Sequence, residues 1–592
     1  MKTYKYILPI LCAGAVMGSC SDLFEPAIEM VNDVEVMYKD QNFASGLLGN
    51  AYILVPYGDP ESDLATDDAV SNQTGNRYTL MANGGWSSTN DPVSQWQARN
   101  NAIQYLNLFL ANVEQVSWSL TPALNQMFID QNKGDALAMR ALQRFYLLRS
   151  HAGKVNGELM GVPFFDDYQT ATSDFNLSRL TFQECYNKIM EDLDAAEKLL
   201  PENYGNIASE SDVPAKYKEI GGTKSYYERA FGPHFQGRLC GQLIKALKAQ
   251  IKLFCASPAY GIVSWQEAAQ AAVAVIGRDH KVVADGHLWY ADSKGIDILP
   301  NEEDPAEMLW RGRTGASNGL ETNNYPPSID GNGRINPTQN LVDAFPMANG
   351  LPIDHPKSGY DPQNPYAGRD PRLDAYIVVN GSTMGPKNTV IYTGKYDDSN
   401  KEKQSDDNIG KQADKSTVTG YYMRKLLRND LNLSNSGTQK HYQARIRWTE
   451  IFLIFAEAAN EAYGPDAPVE GTSYTAKTVI KAIRERAGIC VGTQDEYLNR
   501  CAANKDDMRK LIRNERRLEL CFENHRFYDL RRWQEDLNAP IKIMTNTNDA
   551  NYTVSGISDN YARKYESYMN YGPIPDSEIK KYGNLVQNDG WK

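Results

Sequence analysis

The sequence predicts a fold dominated by α-helices, in which paired helices carry a long loop-rich segment with minor β-structure. Apolar residues recur at helical spacing in two blocks, about 92–276 and about 443–536. The segment between them, about 280–440, is dense in Gly, Pro, Asn and Asp and contains only short β-like pieces. Paired helices of this length are typical of tetratricopeptide-like repeats, so we expect units of that kind.

Size and composition exclude several classes of protein. The chain has 592 residues, and 41% of them are hydrophobic, which is enough apolar material for a packed core. The formal net charge is −12, so the chain lacks the basic character of a nucleic-acid-binding protein and we expect no nucleic-acid partner. Its 35 tyrosines and 9 tryptophans are a large stock of flat, amphipathic rings, which serve both binding faces and helix packing.

The N-terminus has the pattern of a bacterial lipoprotein signal peptide, which we assign to residues 1–19. Two lysines precede an 11-residue apolar stretch, Ile7–Met17, which is too short to span a bilayer. Small residues then stand directly before Cys20, as in a lipobox, where the cysteine becomes the lipid-carrying first residue of the mature protein. We therefore predict lipidation at Cys20; the alternative is an ordinary secretory signal with an incidental cysteine.

The individual helices follow from apolar spacing and from residues that begin or end a helix. For example, Thr181 is expected to begin the third helix and Pro201 to stop it. The predicted helices are one around Ile103–Val113, then about 134–152, 181–200, 236–256 and Trp265–Ile276, and in the second block about 443–463, 475–487 and 505–535. Short β-like pieces are expected at Ala375–Val379 and Thr389–Tyr392, and a polar surface loop at Asp397–Lys415.

Cysteine and histidine spacing gives no sign of a metal site or a disulfide scaffold. Six cysteines follow Cys20, which is sparse for a chain of this size. Whether Cys490 and Cys501 pair is left open. No CxxC, HxH or HExxH pattern occurs, so we predict no zinc site, and we assign no metal-binding residue and no cofactor. Whether a structural calcium is bound is left open.

Several segments together resemble the SusD/RagB family, the surface glycan-binding lipoproteins of Bacteroidetes nutrient-uptake systems. Arg513–Trp533 (RNERRLELCFENHRFYDLRRW) resembles the family's C-terminal signature. Further segments look like the family's first repeat, central segments, third-repeat helix and terminus: Arg140–Pro163, Pro337–Gly350, Arg369–Leu373, Arg447–Ala462 and Tyr571–Trp591. These segments occur in the family's order across nearly all of the mature chain.

The resemblance implies a single SusD-like domain over residues 20–592, with four tetratricopeptide-like helix pairs and a loop-rich region packed on them. It implies a non-enzymatic, glycan-binding lipoprotein of the outer membrane that faces the cell exterior. It also implies a partner, a SusC-like TonB-dependent transporter, to which captured oligo- or polysaccharide is delivered. By this resemblance the helical side faces the transporter and the irregular side faces the ligand.

Carboxylates in the Arg513–Trp533 segment need separate consideration, because a glycosidase uses a pair of them. We expect Arg516, Glu519, Glu523 and Arg526 to share one helix face, so that the arginines keep the acids ionised. A glycosidase needs one carboxyl group with a raised pKa, and this arrangement does the opposite. With no nucleophile or phosphate-loop motif in the sequence, we predict no catalytic residue and no enzymatic activity.

Aromatic residues in polar loops are the best candidates for sugar contacts, since sugar C–H faces stack on aromatic rings while hydroxyls take polar partners. The predicted glycan-binding residues are Trp86, Trp96, Trp289, Tyr290 and Tyr325. The alternative for each is a loop aromatic that packs on the helical scaffold.

Four further possibilities stay open at this level. An acidic glycan would call for arginines near the same loops, with Arg77, Arg311 and Arg313 available. The same fold could bind peptides for uptake, or the chain could be a helical-repeat scaffold that binds only proteins. A surface glycosidase is the least favoured reading, because the sequence has no isolated acid pair.

Overall fold

The computed structural model describes residues 40–56, 60–278, 280–290, 304–312 and 314–592. The predicted signal peptide, Cys20 and Arg313 lie outside the described residues. Within them, no helix is both long and apolar enough to cross a membrane.

Helices dominate the described chain, as the sequence predicts. The helices are α1 (Gln41–Ile53), α2 (Arg77–Leu80), α3 (Trp96–Asn112), α4 (Pro122–His151), α5 (Phe182–Leu199), α6 (Ala215–Lys218), α7 (Lys224–Phe231), α8 (Gly241–Ala256), α9 (Trp265–Ile276), α10 (Gly319–Asn324), α11 (Gln339–Ala344), α12 (Pro371–Tyr376), α13 (Trp448–Tyr463), α14 (Ala476–Arg486), α15 (Glu496–Cys501), α16 (Lys505–Leu520), α17 (Arg526–Trp533) and α18 (Asp576–Lys581).

The strands are short, and those in the described residues join only as two-stranded antiparallel pairs. The pairs are β1 (Ala69–Ser71) with β6 (Ile335–Pro337), β2 (Gly153–Val155) with β3 (Glu158–Met160), β4 (Met308–Arg311) with β12 (Ala444–Arg447), β5 (Gly315–Ser317) with β11 (Gln439–His441), β7 (Ile377–Val378) with β10 (Tyr422–Met423), β8 (Thr383–Met384) with β9 (Thr389–Val390), and β13 (Lys542–Thr547) with β14 (Ala550–Gly556).

Four helix pairs form the helical side: α1 packs on α3, α4 on α5, α8 on α9, and α13 on α14. The pairs also contact each other in chain order, through α3 on α4 and α9 on α13. The contact between α9 and α13 bridges the loop-rich segment that separates them in sequence. This arrangement confirms the helix-dominated fold class with minor β-structure.

Local signals explain where several helices begin. Thr181 caps α5 in a capping box with Glu184, as its position before the apolar pattern suggests. Helix α4 begins at Pro122, twelve residues before the predicted start at 134. The early turns were missed because polar Asp130, Gln131 and Asn132 lie buried there and hide the apolar spacing.

The predicted helix at 505–535 is wrong as a single element, because the chain leaves the helix after Leu520 and re-enters at Arg526. Phe522 and Asn524 between them have φ of 61° and 62°, in the left-handed region. The side chain of Lys425 donates to the carbonyl oxygens of Glu519 (2.7 Å) and Cys521 (2.9 Å). A cation thus satisfies carbonyls that the helix end leaves open.

The buried apolar residues form two cores. The larger core joins the four helix pairs. The smaller one lies under the loop-rich segment and includes Trp86, Tyr325, Phe522 and Trp591. Helix α16 contributes Leu511 to the larger core, and helix α17 contributes Phe527 to the smaller one.

The N-terminal loops are held by the C-terminal part of the chain. The hydroxyl of Tyr565 donates to the carbonyl of Ala65 over 2.7 Å, across 500 residues of sequence. Nε of Arg517 donates to Asp68 over 2.6 Å, across 449 residues. The N-terminal loops and the C-terminal part of the chain therefore stabilise each other.

The six cysteines of the described chain are all free and buried. Cys490 and Cys501 therefore do not pair in this structure.

Candidate functional site

A cavity of about 520 Å³ lies between the two cores. Phe145, Phe254 and Ile454 line it from the first core, and Tyr78 and Val93 from the second. Its volume is in the range of small-molecule sites in proteins.

The wall of the cavity is highly charged. Seven arginines line it against four carboxylates. Helix α3 contributes Arg99, the last turns of α4 contribute Tyr146 and Arg149, and α17 contributes Tyr528. The mouth includes Arg77 and Glu61, whose side chains are 63% and 47% exposed and lie 3.5 Å apart.

Most of the arginines in this wall have a carboxylate partner. Nε of Arg447 lies 2.8 Å from Glu523, and Nε of Arg516 lies 2.8 Å from Asp529. Burial alone would raise the pKa of Glu523, but Arg447 and Lys425 outweigh it and lower that pKa to about 2. These carboxyl groups therefore stay ionised as partners of the arginines.

Glu450 is the exception among the acids of the wall. Burial raises its pKa to about 7, although Arg516 and a hydrogen bond from Gln250 act against the rise. Nε2 of Gln250 donates to its Oε1 over 2.7 Å. Glu450 is thus a carboxyl group that titrates near neutral pH inside the cavity wall.

A second, wholly buried ion network adjoins the cavity and contains Glu519. Nη1 of Arg372 lies 2.9 Å from Glu519 and 3.0 Å from Glu515, and all three side chains have no exposed surface. Burial alone would raise the pKa of Glu519. The pKa nevertheless lies well below its usual value, because the charges of Arg486, Arg372 and Arg447 outweigh the effect of burial. A carboxylate held in that state is unsuited to act as a general acid.

The predicted partners within this network are wrong, although its ionised character agrees with the sequence analysis. Arg516 pairs with Asp529, and Arg526 donates to Asp67 over 2.9 Å, so neither depends on Glu519 or Glu523. The reason is the break after Leu520, which turns Arg526 away from the face of α16.

Trp86 lies inside the smaller core, with 4% of its surface exposed. Its ring packs edge-on against Trp591 at 4.9 Å between centroids, and its Nε1 donates to Asp91 over 2.9 Å. Trp96 is half-buried at the first position of α3 and packs edge-on against His151 at 5.4 Å. Trp86 and Trp96 therefore support the N-terminal loop on either side of the cavity-lining Val93.

Trp289 and Tyr290 pack on each other edge-on at 5.7 Å and are 6% and 5% exposed. The hydroxyl of Tyr290 donates to the carbonyl of Ala375 over 3.2 Å. Tyr325, 1% exposed, donates to the carbonyl of Arg428. Only the adjacent pair among the five predicted aromatics is joined by a ring contact within the described residues. Their role as glycan contacts stays a prediction.

The arginines named for an acidic glycan are in different situations. Arg77 lies at the cavity mouth. Arg311 forms an ion pair with Asp304, and Arg313 lies outside the described residues.

The sequence analysis missed the cavity residues Arg99, Tyr146, Arg149 and Tyr528. They stand in helical patterns, where an arginine or tyrosine is ordinarily a surface residue. The signal that could have drawn attention to them is the position of Tyr146 and Arg149 among the apolar residues of the last turns of α4, together with Arg99 on the buried side of α3.

No group of three or more His, Cys, Asp or Glu side chains in the described chain is arranged to hold a metal ion.

Comparison with known proteins gives two matches to family models. The model described as "SusD family" matches residues 303–591, and the model described as "Starch-binding associating with outer membrane" matches residues 42–216. The chain belongs to the SusD/RagB family. The SusD/RagB family is one of glycan-binding proteins associated with the outer membrane.

Individual SusD-like proteins are also similar to this chain. SusD-like protein P2 of Formosa agariphila is 33% identical over 147 residues, which cover 24% of this chain and 25% of that protein. The match thus spans about a quarter of the length of that curated relative.

Solved structures of SusD-like proteins share the fold. A SusD-like protein from Bacteroides fragilis has a TM-score of 0.70 at 20% identity, covering 95% of this chain and 99% of its own. A SusD-like carbohydrate-binding protein from the same species has a TM-score of 0.66 at 20% identity, covering 93% and 99%. The SusD-like fold thus extends over almost the whole chain.

Proposed function

We propose that the protein is a surface-exposed lipoprotein that captures oligo- or polysaccharide and delivers it to a SusC-like TonB-dependent transporter of the outer membrane. One observation supports this above all: SusD family models match both the N-terminal and the C-terminal part of the chain, residues 42–216 and 303–591. The likeness in fold to a SusD-like protein that binds carbohydrate agrees with it.

The lipid anchor rests on the sequence around Cys20, where small residues stand before the cysteine and an apolar stretch precedes them. One lipidated cysteine holds the protein at the membrane surface without a spanning helix. We place the folded part outside the cell, where it can meet polysaccharides too large to enter.

We propose a binding role without catalysis. The buried carboxylates Glu515, Glu519 and Glu523 lie among arginines and a lysine. Hydrolysis of a glycosidic bond needs an acid that keeps its proton near neutral pH and faces the substrate. Glu519 and Glu523 lack that proton because their pKa values are lowered. Glu450 keeps its proton near neutral pH, but the other buried acids of the cavity wall, Glu523 and Asp529, are bound to arginines, so Glu450 has no second free carboxylate to work with there.

The test is a binding screen of the lipid-free protein, residues 21–592, against neutral polysaccharides, acidic polysaccharides and peptides. We expect saturable binding of at least one glycan, no release of reducing sugar from it, and co-purification of a TonB-dependent transporter with the lipidated protein from outer membranes. Binding of peptides alone would show that the cargo assignment is wrong, and turnover lost in a folded Glu519→Gln variant would overturn the non-enzymatic role.

A further inference from the structure

Arg99 is a buried cation without a counter-ion. It is 4% exposed, and the titratable groups that act on it among the described residues are Tyr146, Arg149 and Tyr528, none of them a carboxylate. Its Nη1 donates to Oε1 of Gln143 over 2.7 Å, while its Nε has no hydrogen-bond acceptor in the described chain. Burial lowers its pKa to about 10, so the group is still charged at neutral pH.

Arg149 lies beside Arg99 in the same wall and is also without a carboxylate among the described residues. Its guanidinium carbon lies 3.8 Å from the ring centroid of Tyr528 and 4.8 Å from that of Tyr146. Its Nε has no acceptor within the described part of the chain. Ring faces attract a cation but leave its charge and its N–H donors unmatched.

Other buried arginines of the same cavity wall have carboxylate partners. Arg532 lies 2.6 Å from Glu457 and 2.7 Å from Asp529, and Arg447 and Arg516 have carboxylates at 2.8 Å. A buried charge is costly unless it is paired. Arg99 and Arg149 depart from this pattern, and both face the cavity.

The rest of the wall suits a sugar better than a small inorganic ion. The cavity holds about 520 Å³, far more than a sulfate or phosphate needs. The rings of Tyr78, Tyr146 and Tyr528 line it, and flat rings stack on sugar C–H faces. Arg77 stands at the mouth with 63% of its side chain exposed, 3.5 Å from Glu61, so the unpaired positive charge of the wall lies further in, at Arg99 and Arg149.

We propose that this cavity binds an acidic sugar unit, with its oxyanion between the guanidinium groups of Arg99 and Arg149. The inference rests on the proposed function in so far as the anion belongs to a glycan. The chemistry recognised is a planar or tetrahedral oxyanion on a sugar ring, which guanidinium groups bind through paired N–H donors. A uronic acid carboxylate and a sulfate ester are two sources of that chemistry.

The test uses the lipid-free chain and calorimetric titration with oligogalacturonate, a sulfated galactan oligosaccharide, neutral galactan of matched length and sodium sulfate. We expect one or both acidic oligosaccharides to bind at least tenfold more tightly than the neutral one, and binding to weaken as salt rises. Arg99→Met and Arg149→Gln should each reduce that affinity at least tenfold. Arg229→Gln, which changes an exposed arginine of α7 away from the cavity wall, should leave it unchanged.

A second readout separates binding from folding. Because Arg99 is an uncompensated buried charge, ligand-free Arg99→Met should melt no lower than the wild type. Acidic oligosaccharide should raise the Tm of the wild type but not of the variant. Arg149, which is half-buried, supplies the same test if Arg99→Met fails to fold.

The outcomes are distinct. The inference is overturned, and the proposed function left standing, if only neutral glycan binds. The same holds if both arginine variants bind the acidic oligosaccharides as tightly as the wild type does. Binding of sodium sulfate without any oligosaccharide would mark an adventitious ion only and also overturn it. Binding of no glycan of any kind would overturn both.

Discussion

Nη1 of Arg372 lies 2.9 Å from Oε1 of Glu519, and neither side chain has any surface exposed to solvent. Nη2 of Arg486 lies 2.7 Å from the other oxygen of the same carboxylate. This single carboxylate therefore compensates two buried arginines that come from the loop-rich segment and from α14. It joins the helical side to the irregular side through charge.

Replacing Glu519 by Ala should destabilise the protein strongly. Arg372 and Arg486 would lose a shared counter-charge in a buried position, which costs about 3–5 kcal/mol. Urea unfolding measures the change, and Glu470→Ala, which removes an exposed carboxylate, serves as the control. A stable Glu519→Ala protein that has lost glycan binding would contradict the structural role.

The pH dependence of stability should carry a contribution from Glu450. Its pKa is about 7 in the folded state and near 4.5 when unfolded, because burial disfavours the charged form. The folded state therefore holds the proton more tightly, and rising pH favours unfolding between about pH 4.5 and 7. The shift corresponds to about 3 kcal/mol of stability lost over that interval.

Glu450→Gln keeps an acceptor for Gln250 and cannot ionise. The variant should therefore be more stable than the wild type at pH 8 and close to it at pH 4.5. Urea unfolding at several pH values between 4.5 and 8 checks this, with Glu470→Gln as the exposed control. Parallel stability curves for the wild type and Glu450→Gln would show that the carboxyl group does not titrate in this range.

The predicted aromatic contacts can be tested best at Trp96, which is half-buried. Trp96→Ala should weaken glycan binding by about 1 kcal/mol or more if its ring contacts sugar. Trp86→Ala should also lower the free energy of unfolding by about 3–5 kcal/mol, since it removes a buried ring. Titration calorimetry with circular dichroism separates the two effects.

Trp118→Ala is the matched control, because Trp118 is buried in the larger core and is none of the five predicted contacts. If folded variants at Trp86, Trp96, Trp289, Tyr290 and Tyr325 all bind every wild-type ligand normally, the predicted glycan face is wrong.

Replacing Cys20 by Ala should release the protein from the membrane fraction, since lipidation requires that sulfur. Fractionation of cells that lack the partner transporter measures this directly. Cys501→Ala, which removes a buried free thiol, should remain in the membrane fraction. A Cys20→Ala protein that still sediments with membranes would refute the anchor.

Sequence reasoning succeeded where a helix has one apolar face and ordinary ends. Helix α9 occupies Trp265–Ile276 as predicted, with Ser264 as a capping residue before it. It failed after Leu520, where neither Gly nor Pro marks the break. The side chains that hold that break, Lys425 and Arg447, come from distant segments.

The cavity could not be predicted from the sequence, for a related reason. Whether Arg99 or Arg516 has a counter-ion depends on which helices meet, and both residues have the same local pattern of an arginine on a helix. Asp529 reaches Arg516 across the break between α16 and α17, whereas Arg99 faces Gln143. Pairing of buried charges is a property of the assembled fold.

The contact from Tyr565 to Ala65, 500 residues apart, has a consequence for biogenesis. Contacts between such distant segments form slowly, because a long stretch of chain must first be brought together. During synthesis the N-terminal loops are made long before the C-terminal residues that they contact. The polypeptide thus stays incompletely folded until its final residues are available, so early folding of the N-terminal part alone would not complete the structure.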